Sequence, residues 1–117
     1  MKEIKLNENI QNHFLWTDTP FSRAQAFIDL LLRAEDEDGQ KYVFGILQSY
    51  EKGEGITTLR ELGRVWGWSS SKVKKFLLDL DDNQLIEVEF NNKMTIFKIV
   101  DLERYMIGEE LKQWITF

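Results

Sequence analysis

The sequence predicts an α+β domain, and three observations carry that prediction. Apolar residues recur at i, i+3, i+4 and i+7 in residues 22–34 and again in 58–80, the period of helices buried along one side. Residues 85–90 and 94–99 are runs rich in β-branched and aromatic residues around Asn91-Asn92-Lys93, the pattern of a hairpin. Within 58–80 a glycine-bearing turn splits the helical pattern in two. Helix, turn, helix and hairpin thus follow one another over residues 57–99. That order predicts a winged helix-turn-helix, with helices around a small antiparallel hairpin wing and a C-terminal helix after it.

The totals bound this reading. A chain of 117 residues is expected to form one domain, here 1–117. Its 43% hydrophobic and 30% charged residues are those of a globular protein. The absence of cysteine excludes disulfides, thiolate metal sites and cysteine nucleophiles. No apolar run approaches the roughly 20 residues that span a bilayer, and Met1-Lys2-Glu3-Ile4-Lys5 leads into polar residues rather than a signal-peptide core. A cytoplasmic protein without a membrane partner is the expectation. The net charge of -5 runs against nucleic-acid binding, because phosphate neutralisation supplies most non-specific affinity. Binding follows the local field, however, so the distribution of charge matters more than its sum.

The elements follow in order. Residues 4–20 read as an arm that packs on the body, with Ile4-Lys5-Leu6 as a short strand and Ile10 and Phe14 at helical spacing. Thr19-Pro20 ends any helix there. Ser22 is a helix N-cap with Gln25 as its capping-box partner, and Ala24, Phe27, Ile28, Leu31 and Leu32 form the expected buried stripe. Glu35-Asp36-Glu37-Asp38-Gly39 is a solvated turn; the alternation, glycine and closing glutamate of a calcium loop are missing. Residues 41–57 fit one or two short strands ending in a glycine-containing turn, which lacks the Gly-Lys-Ser/Thr of a phosphate loop.

Thr57 or Thr58 caps the next helix, with Glu61 as the reciprocal partner of Thr58 and Leu59, Leu62, Val65 and Trp66 facing inward. Gly67 supplies the left-handed residue that ends it. Ser69 caps the following helix, whose Val73, Phe76, Leu77 and Leu80 face the core. Residues 101–117 read as a C-terminal helix or tail whose apolar sets, including Tyr105, Leu111 and Trp114, suit packing or pairing of two chains.

With those faces buried, Ser71, Lys74, Lys75 and Leu78 point outward and Lys72 flanks them. Residues 60–75 hold five basic side chains, including Arg60 and Arg64, against one acid, Glu61; residues 76–90 hold five acids and no base. Serines and lysines on the first turn of a helix suit phosphate oxygens and guanine edges. The candidate DNA contacts are therefore Arg60, Arg64, Ser70, Ser71, Lys72, Lys74 and Lys75, with modest, salt-sensitive affinity. A solvated helix face is the plain alternative. Trp66 and Trp68 are expected in the core rather than stacked on bases, and the single His13 is structural. With no nucleophile-elbow motif, no enzyme, cofactor or metal is expected.

Several blocks in order resemble a known family. They are Ile4-Lys5-Leu6 with Leu15-Trp16; Pro20-Phe21-Ser22-Arg23-Ala24-Gln25-Ala26-Phe27 with Asp29-Leu30-Leu31-Leu32; Thr58-Leu59-Arg60-Glu61-Leu62; and Trp66-Gly67-Trp68-Ser69 through Ser71-Lys72-Val73-Lys74-Lys75-Phe76-Leu77. Together they resemble the winged-helix N-terminal domain of phage replisome organisers, related to the DnaD-like primosomal replication proteins. The resemblance implies binding to duplex DNA at a replication origin and recruitment of a helicase loader or another replication protein. It also implies DNA contacts from Lys72, Lys74 and Lys75, with Lys93 on the wing. Ser70, Leu78 and Asp82 stand where such relatives carry Arg or Lys. Leu78 and the acidic charge point to a second reading, a phage-encoded inhibitor or adaptor that uses the same fold to bind a host protein. A third is a small transcriptional repressor that dimerises through residues 101–117.

Overall fold

The computed structural model describes residues 8–105. They form an α+β structure with two small antiparallel sheets. A 3-10 turn, Glu8–Asn12, leads into a single helical turn α1, Phe14–Thr17, and then into α2, Arg23–Arg33. Strands β1, Gly39–Val43, and β2, Ile46–Tyr50, pair only with each other. Strand β3, Glu54–Thr57, precedes α3, Leu59–Trp66, and α4, Ser70–Asp82; β4, Ile86–Phe90, and β5, Thr95–Ile99, follow. The three-stranded sheet has the order β3-β5-β4, with Ile56 opposite Ile96 and Val88 opposite Phe97. A last 3-10 turn covers Leu102–Tyr105.

The core lies where α2, α3 and α4 meet the inner face of this sheet. Leu30, Leu62, Trp66, Val73, Leu77, Ile86 and Phe97 are all fully buried there. Each such side chain contributes about 1.5–3 kcal/mol through removal of its apolar surface from water. The expected inward residues of α4, Val73, Phe76, Leu77 and Leu80, are its buried residues. Trp66 and Trp68 are also core, packed edge-on to each other and to Phe76 with ring centroids 5.1–5.8 Å apart.

The caps stand where the sequence puts them, but the capping boxes are only half made. Ser22 and Thr58 accept from the amides of Gln25 and Glu61. The Gln25 side chain, however, donates to the Trp16 carbonyl, tying the arm to α2, and the Glu61 carboxylate turns to Arg64. Gly67 ends α3 in the left-handed region at φ 72, as its position predicts. His13 Nδ1 accepts the amide of Leu15 and caps α1.

Several expectations need correction. The buried face of α2 is Ala26, Asp29 and Leu30; Ala24 is exposed, and Phe27, Ile28, Leu31 and Leu32 are only partly covered. The face rotates because Asp29, which a polarity pattern places outside, is a buried hydrogen-bond acceptor. The arm is held by Trp16 and partly buried Ile10, while Phe14 is exposed. Residues 39–57 contain three strands, the first two a hairpin turning through Phe44 (φ 51) and Gly45 (φ 77). The acidic loop is partly engaged: Glu35 pairs with Lys41, and Asp38 accepts the amide of Lys52. Of the C-terminal helix expected over 101–117, the described start is instead a turn at Asp101 (φ 56) and the 3-10 turn Leu102–Tyr105; its remainder, with Leu111 and Trp114, and the Ile4-Lys5-Leu6 strand lie outside the described residues.

Candidate nucleic-acid interface

The segment from α3 to β5 positions the candidate contacts. The turn between α3 and α4 is tight because the amides of both Gly67 and Trp68 donate to the Gly63 carbonyl, at 2.9 and 3.0 Å. Ser69 then accepts from the Lys72 amide and starts α4. Four buried apolar residues hold α4 along its length, so its outer face has a fixed orientation. That face carries Ser70, Ser71, Lys72, Lys74, Lys75 and Leu78, all exposed.

The cations of this face differ in what holds them. Lys72 Nζ lies 4.2 Å from the centre of the Trp68 ring, and Lys74 Nζ lies 5.3 Å from that of Phe90. Aromatic faces orient an ammonium without cancelling its charge. Lys75 is paired with Asp79 at 3.1 Å. On α3, Arg64 is engaged by both carboxylate oxygens of Glu61, at 2.6 and 3.0 Å. That contact raises the Arg64 pKa and holds the Glu61 carboxyl below its ordinary value. Arg60 on α3 and Lys93 in the β4–β5 turn are exposed and form no ion pair among the described residues. The turn carrying Lys93 is set by Asn91, whose Oδ1 accepts the amides of Lys93 and Met94.

The acids are unevenly placed. Asp81 turns away from the outer face and accepts the amide of Val88, fixing α4 against β4. Asp79 is occupied by Lys75. Asp82, Glu87 and Glu89 remain exposed, with Glu87 opposite Lys98 across the sheet. Positive charge is thus concentrated at the N-terminal half of α4, and negative charge at its end and on β4. Leu78 lies at the boundary, 43% exposed. Tyr105 is partly exposed, with its ring edge-on to Phe27.

One basic residue of this region is absent from the sequence-derived set. Arg23, the first residue of α2, stands with its guanidinium 5.7 Å from the centre of the Phe76 ring, facing α4. Its placement depends on Phe21, whose amide donates to the Trp66 carbonyl at 2.8 Å and whose carbonyl accepts from Trp68 Nε1 at 2.9 Å. The available signal was a cation at a helix N-terminus, where the helix dipole disfavours it by about 0.3–1 kcal/mol. Among the described residues, no cluster of three His, Cys, Asp or Glu side chains could hold a metal ion, and no helix is long and apolar enough to cross a membrane. Compared with protein-family models, curated proteins and solved structures, the chain matches none of them.

Proposed function

We propose that this chain is a winged-helix module that binds duplex DNA through α4, in the manner of a phage replication initiator that recruits other replication proteins. The observation that carries the reading is the exposed, rigidly mounted run Ser70, Ser71, Lys72, Lys74 and Lys75 on the first two turns of α4. Its support is threefold. With the β1–β2 hairpin inserted after α2, the order helix, strand, helix, helix and two strands, with β3 on the edge of a β3-β5-β4 sheet, supports a winged-helix reading. The hairpin β4–β5 directly follows α4 and carries Lys93 at its tip, where a wing would meet the backbone. The sequence blocks resemble replisome organisers.

Charge limits how α4 can approach DNA. Its N-terminal turns meet phosphates and base edges, while Asp82, Glu87 and Glu89 stay outside the groove. Few contacts imply a dissociation constant of about 1–100 μM for generic duplex at physiological salt. Fluorescence anisotropy with a labelled duplex across a salt series tests the reading. Binding should weaken steeply with salt and disappear in the triple variant Lys72→Glu, Lys74→Glu, Lys75→Glu. A wild-type chain that fails to bind duplex at low salt refutes it.

Leu78 favours a second reading, a protein-binding surface at the acidic end of α4. An exposed leucine flanked by Asp79 and Asp82 suits a partner with an apolar spot ringed by basic residues. In that case Leu78→Ser abolishes capture of the partner and leaves DNA affinity unchanged.

A further inference from the structure

We propose that Arg23, Lys72 and Lys75 form a single backbone-phosphate pocket across α2 and α4, and that Asp79 holds this pocket partly closed by occupying Lys75. The inference rests on the DNA-binding reading and extends it to a residue, and to a restraint on affinity, that α4 alone does not contain.

The three cations line one cleft of about 170 Å³ together with Trp68, Phe76 and Asp79. Its size decides what it takes. Sites for whole small molecules run to about 300–1,000 Å³, so this cleft admits a substituent such as a phosphate group rather than a free ligand. Its walls are aromatic and its rim is cationic. Arg23 lies over Phe76 and Lys72 over Trp68, so both charges are held at the rim with their N–H donors available. Neither forms an ion pair among the described residues.

The frame is fixed rather than fortuitous. The Phe21 backbone is hydrogen-bonded on both sides, to the Trp66 carbonyl and to the Trp68 indole N–H. Arg23 follows two residues later, so the start of α2 is registered against the start of α4. A cation at the first position of a helix opposes the helix dipole. The cleft supplies a reason for it, because an anion bound there satisfies both the guanidinium and the dipole.

Asp79 is the acid at this rim. Its carboxylate takes Lys75 at 3.1 Å, so a phosphate entering the cleft competes with it for that ammonium and is repelled by its charge. Asp79 therefore lowers affinity without shaping the fold, since the helix-end hydrogen bonds at this position come from its backbone carbonyl, which accepts from Asn83.

Five proteins measured by anisotropy with a labelled duplex over a salt series test both parts: wild type, Arg23→Ala, Arg23→Lys, Lys74→Ala and Asp79→Asn. Each phosphate contact contributes about 0.9 to the slope of log K against log salt. Arg23→Ala should lower the slope by about that amount and weaken binding, Arg23→Lys should restore most of the slope, and Asp79→Asn should bind several-fold more tightly than wild type. If Lys74→Ala weakens binding while Arg23→Ala and Asp79→Asn match wild type, the pocket is refuted and the DNA-binding reading stands. If wild type fails to bind at low salt, the DNA-binding reading falls and the pocket with it.

Discussion

Asp29 and Trp66, 37 residues apart, are joined by a buried hydrogen bond of 2.8 Å from the indole N–H to the carboxylate. The same carboxylate accepts from Gln11 Nε2 and Arg33 Nε, both at 2.7 Å, and is 1% exposed. One side chain thus ties the arm, α2 and α3 together. Removing it leaves the Trp66 donor and the Arg33 charge without their partner. Breaking a buried pair on one side costs about 3–5 kcal/mol, and solvent access at Arg33 puts this case near the lower end. Asp29→Ala is expected to lose about 3 kcal/mol in urea denaturation, with Asp29→Asn losing less. A loss under about 1 kcal/mol would show that the network does not hold these elements.

Asp29 also marks where the sequence stops being legible. Periodicity identifies α4 because its face is purely apolar: Val73, Phe76, Leu77 and Leu80 are all buried. On α2 the same method turns the helix toward Ala24, because it assigns every carboxylate to solvent, and here a carboxylate has three donors. The β1–β2 hairpin was only partly visible, since its turn is Phe44-Gly45, and phenylalanine at φ 51 is no turn signal. At the candidate interface, the lysines of α4 follow from the wheel of one helix. Arg23 does not, because its place depends on the Phe21–Trp68 contact, 47 residues apart in sequence. The pairing of Lys75 with Asp79 sits at ordinary i, i+4 spacing and was readable.

Gly63 lies in the middle of α3, where alanine would ordinarily gain up to about 1 kcal/mol from helix propensity. A β-carbon there would stand 2.6 Å from the Trp68 carbonyl oxygen. That oxygen belongs to backbone whose amide is bonded to the Gly63 carbonyl, so it cannot move without opening the turn. Overpacking of this kind costs about 1–3 kcal/mol and outweighs the gain. Gly63→Ala is expected to lower the melting temperature and, on the proposed DNA-binding reading, to weaken duplex binding, since the turn sets the angle of α4. A stabilised Gly63→Ala protein would contradict this geometry.

The β1–β2 hairpin presents Tyr42 and Leu47 as a cross-strand pair on its exposed face, with Tyr42 75% exposed. They contribute little to the core. Tyr42→Thr with Leu47→Thr puts a residue of high strand propensity at both positions and should change global stability by no more than about 0.5 kcal/mol. Leu77→Ala, in the core beneath α4, should cost about 2–5 kcal/mol in the same urea experiment. Equal losses in the two variants would place the hairpin in the cooperative core.

The Glu61–Arg64 pair predicts a pH effect with a definite sign. The hydrogen bonds from Arg64 hold the Glu61 carboxyl below its ordinary value of 4.5. A depressed carboxyl stabilises the fold above its unfolded pKa, and that stabilisation is lost as the pH falls through the lowered folded value. Both side chains are well exposed, so the effect is small and screened by salt. Stability measured from pH 7 to pH 2 should show Glu61→Gln below wild type near neutrality, with the gap closing below pH 4.5. The same substitution releases Arg64 and should tighten duplex binding at pH 7 if that guanidinium faces phosphate. A gap that widens toward acid would reverse the sign and refute the pairing.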